Sequence, residues 1–317
     1  MLNRLLIGQD AFAGNGDEKD QNGVAKGREK VMTIFHAGSH RLPLGGKTYI
    51  MGILNVTPDS FSDGGRYFAL PDALRHAEEM ERAGADILDI GAQSTRPGHI
   101  PVTAEEEWSR LDPVLRALRE RTALPVSVDT YYPSVAEAAV AAGAAIINDV
   151  SGSLENGMPA VAARTGAGLV MMHAGGGADD AGEEDGQDTI TRVRRYFHQA
   201  MAAAADAGLP AERVCLDPGI GFGKDRQGDL ALAARLPELT AGLPETAVLV
   251  GASRKRVIAA CCENEPPAGE RLAGTIAIHT VAQWNGAHIL RVHDVAEAVQ
   301  AARVTDALRR AAGGAGK

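Results

Sequence analysis

From Tyr49 onward the chain alternates between short apolar runs and longer amphipathic stretches, and almost every apolar run ends abruptly in polar residues. The runs are 49–54, 87–90, 126–129, 146–149, 168–172, 214–217, 248–251 and 289–292. Each has the length and aliphatic content of a strand buried on both faces. Helical periodicity falls between them, for example over 71–83, 103–121, 133–142, 189–207, 271–285 and 294–311. Pro71 and Pro133 suit the first turn of a helix, where a missing N–H is harmless. The pairs Ala83-Gly84, Ala142-Gly143 and Ala207-Gly208 suit helix ends.

Eight strands alternating with about eight helices predict an α/β fold, a (β/α)8 TIM barrel. The competitor is a doubly wound open sheet. The barrel is favoured because polar residues gather at nearly every strand end rather than at one switch point. No Gly-x-Gly-x-x-Gly follows the first strand, so a dinucleotide fold lacks its fingerprint. Two short extended runs flanking Gly45-Gly46 predict an N-terminal β-hairpin. Residues 1–31 are polar and Gly-rich, and are expected to be a disordered or mobile extension; residues 32–317 are expected to form a single domain.

Composition narrows the function. The net charge of −9 and the absence of a basic stripe argue against a nucleic-acid partner. No apolar stretch is long enough to cross a bilayer, and the first residues lack a signal-peptide core. Cys215, Cys261 and Cys262 form neither a disulfide framework nor a zinc spacing; they read as reduced thiols in a cytoplasmic protein.

In a barrel the strand ends share one rim. Here they carry Asn55; Thr95, Arg96 and Pro97; Asp129; Asn148; Met172 and His173; Asp217 with Phe222; Ser253, Lys255 and Arg256; and Arg291 with His293. Asp129, Asn148 and Asp217 suit a ligand edge rich in N–H donors, such as a pterin or purine. Lys255 can donate to a ring carbonyl, and Arg291 can lie over an aromatic plane. Arg96, Arg291 and His293 can bind an anion such as a diphosphate. Asn55 offers a neutral oxygen to Mg²⁺, which keeps waters and leans on phosphate oxygens. Taken singly, each has a bland alternative: Asp129 or Asp217 as an N-cap or surface charge, His293 and His173 as structural histidines. Phe61 and Phe222 fall inside polar loops, which suits rings that cover a flat substrate.

The segments GILNVTPDSFSDGG, DIGAQSTRPG, SVDT, INDVSG, VMMH, LDPGIGFGK, GASRK and RVHD, in this order, resemble those of the dihydropteroate synthase family of pterin-binding proteins. The resemblance spans about residues 32–308. It implies condensation of p-aminobenzoate with (7,8-dihydropterin-6-yl)methyl diphosphate, with Mg²⁺, to give 7,8-dihydropteroate and diphosphate in folate biosynthesis. It implies a homodimer and a sulfonamide target. Carried over by motif, Asn55 lies near the metal, and Asn55, Thr95, Arg96, Arg291 and His293 serve the diphosphate. Asp129, Asn148, Met172, Asp217, Lys255 and Arg291 hold the pterin. Phe61, Pro97, Phe222, Ser253 and Arg256 bound the p-aminobenzoate pocket. The chain departs from the common pattern at Ala92-Gln93, where Gly-Glu is frequent, and at Arg256, where a small hydroxyl residue is frequent. The alternatives are a non-catalytic pterin-binding paralogue and a methyltetrahydrofolate-type methyltransferase.

Overall fold

The structure is a computed structural model that describes residues 33–56, 69–93, 102–175 and 188–314. Eight parallel strands close into a barrel: β3 (Tyr49–Asn55), β4 (Ile87–Gly91), β5 (Val126–Thr130), β6 (Ile146–Asp149), β7 (Gly168–Met172), β8 (Val214–Asp217), β9 (Ala247–Val250) and β10 (Ile289–Val292). β10 pairs back onto β3, with Ile289 opposite Tyr49 and Val292 opposite Gly52. That pairing abolishes the two free edges an open sheet would have, and it decides between the two folds the alternation allows.

Ten helices among the described residues follow the same logic. They are α1 (Ala69–Ala83), α2 (Ala104–Arg119), α3 (Pro133–Ala142), α4 (Met158–Thr165), α5 (Thr189–Asp206), α6 (Arg226–Ala234), α7 (Leu236–Leu239), α8 (Arg256–Ala259), α9 (Leu272–Trp284) and α10 (Val295–Gly314). Thr103 caps α2 by accepting from the Glu106 N–H at 3.2 Å, and Asp188 caps α5 by accepting from the Thr191 N–H at 2.8 Å. These caps satisfy donors that the first helical turn leaves open. Gly143 ends α3 in the left-handed region, as the Ala-Gly pair predicts.

The hairpin is present, but its turn is not at Gly45-Gly46. β1 (Ile34–Ala37) and β2 (His40–Pro43) pair antiparallel with Ala37 opposite His40, so Gly38-Ser39 makes the turn. Gly38 has φ of 58°, which a two-residue hairpin needs and a glycine adopts freely.

Two apolar cores result. One fills the space between barrel and helices, from Leu54 and Ile90 outward to Leu111, Leu118 and Phe197. The other lies inside the barrel, where Met51, Ile87, Val170 and Leu249 meet Phe35 and Leu42 of the hairpin. The hairpin therefore stoppers the N-terminal end of the barrel. The expectation for residues 1–31 lies outside the described residues, as do Phe61, Thr95, Arg96 and Pro97.

Candidate active site

The open end of the barrel holds a cleft lined by Asp129, Asn148, Val150, Met172, Asp217, Phe222, Gly251, Lys255 and Arg291. These residues come from β5, β6, β7, β8 and β10 and from the loops after β6, β8 and β9. All six side chains the resemblance assigns to the pterin are among them.

Arg291 organises the floor. Its Nε donates to Asp89 Oδ2 at 2.6 Å and its Nη2 donates to Asp129 Oδ2 at 2.6 Å. Asp89 is fully buried on β4 and also accepts from Ser127 Oγ at 2.6 Å. One cation thus faces two carboxylates. Burial pushes the Asp129 carboxyl up to about 7 against the pull of Arg291, and Asp89 adds to the rise. Burial alone would weaken the Arg291 cation, but Asp89 and Asp129 outweigh it and hold the guanidinium proton above its usual range.

Asn148 turns its amide nitrogen toward Asp89, 3.3 Å from Oδ2. Its Oδ1 is buried and has no hydrogen-bond partner among the described residues. An unanswered buried acceptor in the lining of the cleft suits a donor on the ligand. Asp217 accepts from the Gly219 N–H at 2.7 Å through Oδ1. Burial raises its carboxyl pKa, opposed chiefly by Lys255.

Lys255 lies with Nζ 4.4 Å from the Phe222 ring centroid and donates to the Ile220 carbonyl at 2.5 Å. Lys255 as a whole is half-buried, and its ammonium sits among protein groups. Burial lowers it to about 8, with Asp217 opposing. Ser253 and His293 meet at the rim, with Oγ and Nδ1 3.0 Å apart.

Asn55 ends β3 half-buried and does not line the cleft. Arg256 is exposed and likewise falls outside the lining. The helix that follows, α8, is a single turn with Lys255 as its N-cap. Arg254 itself has φ of 58° and turns its guanidinium onto Asp294.

Asp89 is the residue the sequence reading passed over. Its signal was present: an acid inside a strand otherwise wholly apolar and buried has a cation waiting for it. Gln93 also finds an account here. Its amide donates to Glu107 Oε2 at 2.7 Å and its carbonyl oxygen accepts from Tyr131 Oη at 2.9 Å. Glu107 is fully buried, and burial raises its carboxyl pKa against the pull of Gln93. An amide can donate and accept at once, which a second carboxylate could not.

Among the described residues no group of three His, Cys, Asp or Glu could hold a metal ion. A protein-built metal cage therefore does not fit those residues. The neutral amide of Asn55 at the rim is compatible with an ion carried in by phosphate oxygens.

The family model described as pterin binding enzyme matches residues 51–293. The chain is 44% identical over 261 residues to the dihydropteroate synthase of Escherichia coli (strain K12), covering 82% of this chain and 91% of that one. It is similar in structure to Xanthomonas albilineans dihydropteroate synthase with 4-aminobenzoic acid: TM-score 0.78, 41% identity, 88% of this chain and 98% of that one. It is also similar to Burkholderia cenocepacia dihydropteroate synthase complexed with 7,8-dihydropteroate: TM-score 0.77, 39% identity, 89% and 98% covered.

Proposed function

The chain belongs to the pterin-binding enzyme family, as a dihydropteroate synthase, and from that premise we propose that the cleft around Lys255 and Arg291 seats the dihydropterin ring. The reaction is an alkyl transfer of folate biosynthesis: the arylamine of p-aminobenzoate displaces diphosphate from the pterin methylene. One observation carries the assignment of the cleft. Asp129, Asn148, Asp217 and Lys255, drawn from residues 129 to 255, line a single recess.

In this reading Asp129, Asp217 and the unanswered Asn148 oxygen accept from the ring amino and N–H groups. Lys255 donates to the ring carbonyl. Departure of diphosphate leaves positive charge on the dihydropterin, and buried Asp129 and Asp217 favour that charge electrostatically. Arg291 covers the ring and keeps the floor near neutrality. Ser253 and His293 lie where the leaving anion and the aminobenzoate meet. Thr95, Arg96, Pro97 and Phe61 retain the phosphate and aminobenzoate roles their motifs imply. No covalent enzyme nucleophile is needed.

Mg²⁺ belongs to the same reading. Asn55 would supply one neutral oxygen, and the ion would offset the negative charge of the diphosphate. The methyltransferase alternative gives way because the curated relatives are synthases. Incubation with the pterin diphosphate, radiolabelled p-aminobenzoate and Mg²⁺ is expected to yield labelled pteroate. No product at high protein concentration would instead favour a pterin-binding paralogue without catalysis.

Lys255 also gives a pH dependence. It is a cation below about 8 and an uncharged amine above it. The charge that strengthens its hydrogen bond to the ring carbonyl is thus lost as pH rises through that value, so pterin affinity should fall on the alkaline side. Lys255→Arg should move that limb upward; an alkaline limb at the same pH in both proteins would contradict the assignment.

We also infer a homodimer. Val281 and Trp284 on α9 and Val304 and Leu308 on α10 are about half exposed. Spacings of three and four place each pair on one side of its helix, and the two helices pack together. Light scattering should give twice the chain mass, and Trp284→Glu should move it toward the monomer. A monomeric wild type ends the idea. Three free thiols, two of them exposed, are consistent with a cytosolic setting, and among the described residues no helix is long and apolar enough to cross a membrane.

A further inference from the structure

The loop that presents Lys255 runs from Gly251 into α8, and its backbone is held from α9. The Ala252 N–H donates to His279 Nε2 at 2.9 Å. The Arg254 N–H donates to Thr275 Oγ1 at 3.0 Å, and the Arg254 carbonyl accepts from Arg271 Nη1 at 2.9 Å. Residues 271, 275 and 279 are spaced by four, so they stack along one side of the helix. Thr275 and His279 are 1% and 2% exposed. α9 also lies close against α8: a Cβ on Gly274 would sit 2.2 Å from Ile258 Cγ2.

Between these anchors Arg254 has φ of 58°. A non-glycine residue stays in that region only when its surroundings over-determine it. Asp294 supplies a further hold by pairing with the Arg254 guanidinium. His279 makes its one described bond to the loop, and its Nδ1 has no partner among the described residues. Burial, with Lys255 nearby, lowers its imidazole to about 3, so the Nε2 lone pair stays available to the Ala252 N–H.

We propose that Arg271, Thr275 and His279 act as one clamp on the 252–254 backbone that aims the Lys255 ammonium into the cleft. They are positioning residues, remote from the ring, and the inference rests on the cleft being the pterin site. The clamp acts only through Lys255. Its loss should therefore weaken pterin binding when Lys255 is present and change nothing further when Lys255 is gone.

The test is a thermodynamic cycle on the full chain, read by quenching of 6-hydroxymethylpterin fluorescence. His279→Leu orphans a buried N–H and should weaken binding about tenfold. His279→Gln, whose side-chain oxygen can accept, should recover most of that. Thr275→Val should follow the leucine pattern, and it carries the test if His279→Leu does not fold. In a Lys255→Ala background both losses should vanish, which a general loosening of the barrel would not produce. Wild-type affinity in both single variants, or losses that persist in full without Lys255, would overturn the clamp. A wild-type chain that binds no pterin would overturn the reading of the cleft, and the clamp's role with it.

Discussion

Arg291→Met is expected to lower the melting temperature by roughly 10 °C and to abolish pterin binding. The variant keeps most of the unbranched stem and removes the guanidinium with its charge. Asp89, fully buried, and Asp129 then face each other across the barrel floor with no cation between them. Removing one partner of a buried ion pair typically costs about 3–5 kcal/mol, because the remaining charge is left without compensation. In a domain of this size that is on the order of 10 °C. Differential scanning calorimetry measures it directly. A melting point within a degree or two of wild type would mean that the carboxylates do not depend on Arg291, and the account of the floor would fail.

Lys255→Ala is expected to weaken pterin binding about a hundredfold while altering p-aminobenzoate saturation far less. A hydrogen bond from a charged donor contributes roughly 1.5–3 kcal/mol. The variant also strips Asp217 of the cation that most opposes the upward push of burial on its pKa, so it spoils an acceptor along with a donor. Pterin titration against the purified variant, paired with a steady-state assay in each substrate, separates the two effects. Undiminished pterin affinity would dismiss the cleft as the ring site and leave the family membership untouched.

Much of the architecture was legible because the barrel repeats one rule. A strand buried on both faces must be aliphatic, so Ile87–Gly91 and Gly168–Met172 announce themselves without help from tertiary structure. The cleft was legible for the same reason. Once the strands are parallel and closed, Asp129, Asn148 and Asp217 have nowhere to converge but at one rim. What escaped the sequence depends on partners far apart in the chain. Arg291 reaches Asp89 across 202 positions, and no local pattern records that contact. The Gly38-Ser39 turn was passed over because Gly45-Gly46 is the louder turn signal nearby. Arg254 and Arg256 flank Lys255 and look alike in the sequence. The left-handed residue at 254 instead splits them, sending one guanidinium to Asp294 and leaving the other in solvent.

The stopper formed by Phe35 and Leu42 has a consequence for how this enzyme can change. It sits at the far end of the barrel from Lys255 and touches interior residues that do not line the cleft. Part of the fold's stability is therefore set at the pole opposite the cleft. A lineage, or an engineer, could retune that part by repacking around Phe35 and leave the cleft as it was.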